Sequence, residues 1–484
     1  MQVSMRRSVL WMGFSQSCLF VIQFGGSVVM ARLLTPYEMG VYAAAAAVVG
    51  LLTALRAFGL SAFLIREPNL TPDVVSSVFT INAMLSVIVT AGVIALSNIG
   101  AQMLGEPGVQ AVMVLLATIP ISTIFDIIPA ALLERSGAFK TMALAGLARA
   151  AVGVGATIVL AVHGHSYMSI AYGNLVSAVF GTAWLNVVGW RHVSFRMGLH
   201  YWRRIMRFGL QMLTITGVGS ISVRLSDILL GRLIGLGTLG LYSRASGLHS
   251  LLWDNLHQIV ARIVFVDFAE QRRRGMSLRD TYLRVTAMVT ALLWPAFSGL
   301  GILAGPVIHT VYGPDWVGAA WPLSFLAVSG MVLVSNTMAS ETYVICNETV
   351  RQLYYETKRA GTGLLLFTLG CLGGLAGAAV SRIGEAACGV AYSRRDILRM
   401  TDTRMADYGS IFGQSALLTV AACSPTALLM AVNAWSSQTS LVAIAGAVAL
   451  GVAAWGVGLW LLQHPLFVEA RILVQQALCP LQDG

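Results

Sequence analysis

"MARLLTPYEMGVYAAA" occupies residues 30–45, and "LGRLIGLGTLGLYSRA" occupies residues 230–245. Set in register two hundred residues apart, Arg32 falls on Arg232, Leu33 on Leu233, Gly40 on Gly240, Tyr42 on Tyr242 and Ala45 on Ala245. Each copy closes one long apolar run and opens the next. A unit used twice along one apolar chain is how many membrane transporters are built. Gly40 and Gly240 also admit a purely structural reading, as helix starts left by an old duplication.

The runs on either side decide the fold class. Of 484 residues, 57% are apolar and 11% charged, against roughly 25% charged in a soluble domain. Apolar stretches of about 20 residues, enough to cross a hydrocarbon core as helix, recur throughout. The expected class is an all-α polytopic membrane protein with about fourteen transmembrane helices. The spans fall near 8–31, 40–65, 74–97, 109–133, 140–162, 166–189, 208–234, 240–266, 281–304, 316–346, 360–380, 381–399, 411–433 and 438–463. The first exceeds a signal-peptide core and lacks a cleavage site of small residues, so it reads as a retained span. The twelfth, "SRIGEAACGVAYSRRDILR", is the weakest by hydropathy.

Charge supports this threading. The net charge is +10, but no basic domain interleaved with aromatics exists to hold nucleic acid. With the N-terminus inside, 22 of the 31 Lys and Arg fall in inner loops and tails. Four (Arg32, Arg232, Arg244 and Arg382) fall outside, and five lie within spans. Such asymmetry follows the positive-inside rule, and it places both termini in the cytoplasm. The basic stretches at 351–359 and 394–404 both belong inside, which requires an even number of crossings between them and retains the twelfth span.

Residues 191–207, "RHVSFRMGLHYWRRIMR", alternate apolar and basic side chains, as expected of a helix on the inner membrane surface. The domain reading is an N-terminal six-helix lobe over 1–190, an interfacial linker helix over 191–207, a second six-helix lobe over 208–400, and two further helices with a tail over 401–484. Six spans per copy make a parallel repeat, and two such bundles imply a central cavity. Arg32, Gly40, Tyr42, Arg232, Gly240 and Tyr242 then form the outer turn of each lobe.

Charges within spans are expensive and usually face a cavity or a partner. Arg56 precedes Arg66 by ten residues, hence about 15 Å of helix from the inner surface. Arg149 lies at a similar depth beyond Lys140. These two and Arg224 are the candidate substrate-binding residues, although each could instead serve an interhelical ion pair. Asp227, three residues after Arg224 on the same face, and Asp254, midway along span eight, are candidates for cation or proton coupling or for ion pairing. Asp126, Arg262, Arg284 and Glu341 lie nearer the inner ends.

Other motifs carry less. "GLGTLG" at 235–240 has the letters of a dinucleotide fingerprint, but a membrane helix precedes it where a strand is required. His163 and His165 have no neighbouring ligand residue, so no metal is expected. His249 and His257 share a face of span eight, where packing or cavity lining is the simpler role. The six cysteines are scattered. No Walker motif, hydrolase triad or metal spacing occurs, so neither catalysis nor a cofactor is expected.

Several stretches resemble a known family. They are the repeat itself, "FGLSAFLIREPNLTP" (58–72), "GEPG" (105–108), "ALLERSGAFK" (131–140), "FGLQM" (208–212), "SDILLGRLIGLGTLGLYSRA" (226–245) and "AGPVIHTVYGPDWVGAAWPL" (304–323). In order and spacing, over about residues 5–345, they resemble the bacterial polysaccharide flippases. These are the polysaccharide-transport branch of the multidrug/oligosaccharidyl-lipid/polysaccharide (MOP) exporter superfamily. The resemblance implies two six-helix lobes, two extra C-terminal helices, and transfer of an undecaprenyl-diphosphate-linked glycan across the bacterial inner membrane. Its partners would be the lipid-linked oligosaccharide and membrane lipids, with a polysaccharide polymerase and glycosyltransferases of the same pathway as further candidates. Competing readings are a cation-coupled multidrug exporter or a peptidoglycan-precursor flippase of the same superfamily, or a membrane polysaccharide polymerase. The first would want an acidic cavity, and the last a long outer loop.

The threading predicts that a topology reporter fused after Gly275 is active only in the cytoplasm and one after Gly313 only outside. Two fusions reporting the same side would break the span assignment.

Overall fold

From Gln2 onward the chain is helix joined by short turns, and the computed structural model describes residues 2–56, 58–189, 195–273, 276–469 and 471. In order, the helices are α1 (Gln2–Leu33), α2 (Pro36–Thr53), α3 (Leu60–Arg66), α4 (Pro72–Leu104), α5 (Pro107–Leu116), α6 (Thr118–Ser122), α7 (Ile127–Arg135), α8 (Phe139–Val162), α9 (Met168–Gly189) and α10 (Trp202–Leu233). They continue with α11 (Leu236–Arg273), α12 (Arg279–Ile302), α13 (Ala304–Val311), α14 (Ala320–Val334), α15 (Ala339–Ile345), α16 (Thr349–Cys371), α17 (Gly374–Thr401), α18 (Met405–Val432) and α19 (Leu441–Leu461). The chain forms two compact units, Met1–Leu241 and Tyr242–Gly484. Among the described residues, ten helical stretches are long and apolar enough to cross a membrane. The protein is an all-α polytopic membrane protein.

Both copies of the repeat make the same helical corner. One copy ends a helix at Leu33 and begins the next at Pro36; the other ends at Leu233 and begins at Leu236. The turn chemistry differs. Thr35 caps α2: its hydroxyl oxygen accepts from the Glu38 N–H at 3.3 Å while its own N–H donates to the Glu38 carboxylate at 2.8 Å. Pro36 occupies the first helical position, where no N–H is needed. The second corner turns instead on Gly235, at φ +115°, a conformation that favours glycine.

The repeated glycines meet. A Cβ at Gly40 would lie 1.7 Å from the Leu236 carbonyl oxygen, and one at Gly240 would lie 1.8 Å from the Pro36 carbonyl oxygen. Residues 36 and 236 are themselves repeat mates, so the contact is reciprocal. Only hydrogen fits at either position, and small residues of this kind let membrane helices approach backbone to backbone.

Several expected spans are broken. The span over 40–65 is α2, a 3-10 turn at Ala54–Arg56 and α3, with Gly59 in the left-handed region at φ +61°. The span over 109–133 is α5, α6, a second 3-10 turn at Thr123–Phe125, and α7. Pro129 explains part of this: it has no N–H for the Phe125 carbonyl, and the Asn186 side-chain amide donates there instead at 3.3 Å. The span over 316–346 is a 3-10 stretch Pro314–Ala319, then α14 and α15, with Met338 in the left-handed region between the last two.

Two boundaries move. Residues 195–201, expected to belong to a surface helix over 191–207, are not helical, and the helix starts at Trp202. Buried hydroxyls of α4 hold this strap in place of helical bonds: the Gly198 N–H donates to Thr80 at 2.9 Å and the Tyr201 N–H to Ser77 at 3.2 Å. The turn expected at 380–381 lies at Leu372–Gly373, before Gly374 at φ +71°. Arg382, assigned by sequence to an outer loop, is therefore within α17.

Substituting Gly40 or Gly240 with Val drives a methyl into a backbone carbonyl, and overpacking of this kind costs about 1–3 kcal/mol or more. Each variant is expected to lower the melting temperature of the detergent-purified protein. At Gly237 a Cβ would meet nothing within 4 Å, so this position should accept Ala without change. Equal melting of all three would refute the crossing.

Candidate functional site

The deepest charges of the first unit gather where α2 and the broken fourth span lose regular helix. The Thr53 hydroxyl donates to the Gly50 carbonyl at 3.1 Å as α2 tightens into its 3-10 turn. Arg56 ends that turn. Its Nη1 donates to the Thr123 hydroxyl at 3.2 Å, and its buried Nε has no hydrogen-bond partner among the described residues.

Thr123 begins the second 3-10 turn. An unwound segment in hydrocarbon leaves carbonyls that must find donors. The Thr182 hydroxyl donates to Ser122 O at 3.1 Å, the Asn82 amide to Ile124 O at 3.0 Å, and Asn186 to Phe125 O. Higher up the same span, the Thr90 hydroxyl donates to Ala117 O at 2.8 Å. Donors from α4 and α9 thus fix the turn from both sides. Asp126 follows directly, largely buried, with no hydrogen-bond partner for Oδ1 among the described residues.

Arg149 approaches Asp126 from α8. Its stem lies across Gly181 of α9, where a Cβ would sit 2.8 Å from Arg149 Cδ. Nη1 stands 3.7 Å from Asp126 Oδ2, an ion pair too long for a good hydrogen bond. The guanidinium side chain remains 40% exposed, against 15% for the carboxylate. Arg149 pairs loosely with Asp126 and Arg56 lies within its electrostatic reach, so the two arginines and one aspartate together carry one net positive charge.

Arg224 is held separately. It lies flat over Gly50, where a Cβ would be 2.7 Å from Nε, and its Nη1 is 3.8 Å from Asp227 Oδ2. Gly50 precedes Arg56 by six residues, roughly 9 Å along a helix. Asp254 lies on α11 in a stretch whose side chains are outside the described residues, as does Arg262. Arg32 and Arg232 are both exposed in the last turns of α1 and α10, where a cation complements the helix dipole. The Tyr42 hydroxyl accepts from the Asn174 amide on α9 at 2.6 Å. In the second unit, the Tyr242 hydroxyl accepts from Arg382 Nε on α17 at 3.0 Å. Each repeated tyrosine thus ties its helix to a later helix of its own unit.

Sequence reasoning left Asp126 at the inner margin and did not single out Thr123, Asn82, Thr182 or Asn186. The available signals were Pro120 and Pro129 within one apolar run and asparagines within neighbouring spans. It also missed a charged ladder between α16 and α17. Arg382 pairs with Glu385 at 2.6 Å and Arg359 with Glu356 at 3.2 Å. Glu385 packs onto Gly363 of α16, while Arg359 packs onto Gly389 of α17. Each ladder charge has an opposite partner, in contrast to the surplus around Asp126.

Comparison with known proteins gives the chain a family. Residues 29–320, more than half of the chain, match the family model described as polysaccharide biosynthesis protein. The chain belongs to this family. It is 26% identical over 329 residues to the succinoglycan biosynthesis transport protein ExoT of Rhizobium meliloti (strain 1021), covering 68% of this chain and 66% of that protein. It is 23% identical over 322 residues to the lipopolysaccharide biosynthesis protein WzxC of Escherichia coli (strain K12), covering 64% of each. The matches thus span just under two thirds of these relatives' length. Among solved structures, the lipid II flippase MurJ in an inward closed conformation superposes with a TM-score of 0.77. It is 12% identical, with 95% of this chain and all of that one covered. At that identity the likeness is one of fold.

Proposed function

We propose that this protein is a flippase: it moves a polyprenyl-diphosphate-linked oligosaccharide from the cytoplasmic to the periplasmic leaflet of the bacterial inner membrane. The product would serve exopolysaccharide, capsule or O-antigen synthesis. The observation that carries the reading is the surplus cation formed by Arg56 and Arg149 around Asp126, in a chain of the polysaccharide biosynthesis family. A diphosphate crossing a bilayer needs compensating charge, and guanidinium binds phosphate oxygens in bidentate fashion. The names of the relatives, a succinoglycan transport protein and a lipopolysaccharide biosynthesis protein, support a glycan substrate.

The organisation that goes with this reading is fourteen spans with both termini cytoplasmic. It comprises six-helix lobes over 1–190 and 208–400, a linker between them, and two further helices over 401–484. The charge asymmetry and the internal repeat support it. The four long helices outside the ten most apolar ones supply the remaining crossings, and α16 and α17 neutralise Arg359 and Arg382 with Glu356 and Glu385 on their own turns. Arg224 is the third cationic contact for substrate, with Asp227 and Asp254 as coupling or pairing groups. Glycosyltransferases and a polymerase of the same pathway are the natural protein partners, since one makes the lipid-linked unit and the other consumes it. Transfer needs no nucleotide: moving one negative charge out of a negative interior gains about 2.3 kcal/mol per 100 mV.

Arg56 tests the reading. An uncompensated arginine at mid-span costs about 2.5–3.5 kcal/mol on insertion scales, and Leu would fill its space without that cost. Arg56→Ala is expected to keep normal protein abundance while abolishing surface polysaccharide. Arg56→Lys, which keeps the charge without the bidentate fork, should retain part of the export. Normal polysaccharide in a normally expressed Arg56→Ala strain would refute a substrate role.

A further inference from the structure

The surroundings of Asp126 are not those of a closely made ion pair. Its partner geometry is poor: Arg149 stands at 3.7 Å rather than hydrogen-bonded, and Oδ1 is buried without a partner among the described residues. Arg56 Nε is likewise buried and without a partner among them. The ladder between α16 and α17 shows what a settled pair looks like in this chain, at 2.6 Å for Arg382 and Glu385. Around Asp126, by contrast, the ion pair is long, and one buried donor atom of Arg56 and one buried acceptor atom of Asp126 lack a hydrogen-bond partner among the described residues.

We propose that Asp126 is a built-in counter-ion that occupies the diphosphate's place between Arg56 and Arg149 and sets how tightly that anion is held. The inference rests on the reading of these two arginines as the anion site. Arg149 is the moving member. Its side chain is more exposed than that of Asp126, and its stem lies over Gly181, which has no side chain to block rotation. On binding, the guanidinium exchanges one carboxylate for phosphate oxygens. On release it returns to Asp126, so the empty site never leaves two bare cations in a medium of low dielectric.

The rigid side of the exchange is the turn that carries Asp126. Asn82, Thr182 and Asn186 hold the carbonyls of residues 122, 124 and 125, and Thr123 in the same turn holds Arg56. The carboxylate therefore stays in place while Arg149 swings. Besides Arg149 and Arg56, the polar neighbour of Asp126 is Thr182 of α9, whose one hydroxyl hydrogen is given to the Ser122 carbonyl. A transporter that must both capture and release a polyanion gains from such a competitor, because two arginines alone would hold it too long.

The test is a charge series read by binding of inorganic pyrophosphate to the full-length protein in nanodiscs, with folding checked by melting temperature. The wild-type cluster carries one net positive charge, Asp126→Asn two, Arg149→Gln none, and the Asp126→Asn/Arg149→Gln double variant one again. Asp126→Asn is expected to bind pyrophosphate about tenfold tighter or more and to export no more glycan than wild type. Arg149→Gln should bind at least tenfold weaker, and the double variant should return to within about threefold of wild type. If Asp126→Asn does not fold, the double variant still decides, since binding as weak as Arg149→Gln alone overturns the proposal. Pyrophosphate affinity unchanged or lowered in folded Asp126→Asn, with Arg149→Gln weakened, overturns the counter-ion and leaves the anion site standing. No pyrophosphate binding by wild type, or none lost in Arg56→Ala and Arg149→Gln, overturns the anion site and the counter-ion with it.

Discussion

In the hydrocarbon of a bilayer no water is available to a peptide group, so carbonyls freed by a break in a helix need donors from the protein around them. That constraint organises the first unit. The span from 107 to 135 unwinds at 123–125, and hydroxyls and amides from α4 and α9 take up the freed carbonyls. Because those donors come from two different helices, the turn cannot shift without stranding a carbonyl, at about 1–3 kcal/mol for each. Thr123 and Asp126 are therefore held where they meet Arg56 and Arg149. The polar residues of α4 that look wasteful in a membrane helix are what keep the charged cluster in register.

Much of the architecture was legible in the sequence because membrane physics writes it coarsely. Apolar runs gave the helices, and the repeat at 30–45 and 230–245 gave two corners that begin and end at equivalent positions. What the repeat did not disclose is that its glycines touch one another's corners. Periodicity describes one helix, whereas the approach of Gly40 to residue 236 is a fact about two. The breaks were also hidden. Hydropathy averages over about 19 residues, so a three-residue 3-10 turn leaves no mark, and in the span over 109–133 the local warnings were Pro120 and Pro129.

The candidate site was half legible. Depth along a helix singled out Arg56 and Arg149, since charge in hydrocarbon is rare enough to be informative. Asp126 was discounted as lying near the inner end, because counting along the chain assumed a straight helix from 109 to 133. The span is instead broken at 123–125, and Asp126, directly after the break, lies 3.7 Å from Arg149 and within electrostatic reach of Arg56. The opposite error befell Arg382: a misplaced turn put it in an outer loop, whereas in α17 it is buried beside Glu385. The contrast between these clusters carries the functional argument. Arg382 with Glu385 and Arg359 with Glu356 are matched and close, as structural pairs must be to offset desolvation. Around Asp126 the cations outnumber the anion, and the contacts are loose.

The most direct test of the account is transfer itself, in vesicles holding the purified chain and a polyprenyl-diphosphate-linked oligosaccharide. The fraction of glycan reached by an impermeant glycosidase, followed over time, measures movement between leaflets. The account predicts that wild-type vesicles expose the inner-leaflet pool much faster than protein-free vesicles, and that Arg56→Ala vesicles do not. Equal rates with and without the protein would contradict it.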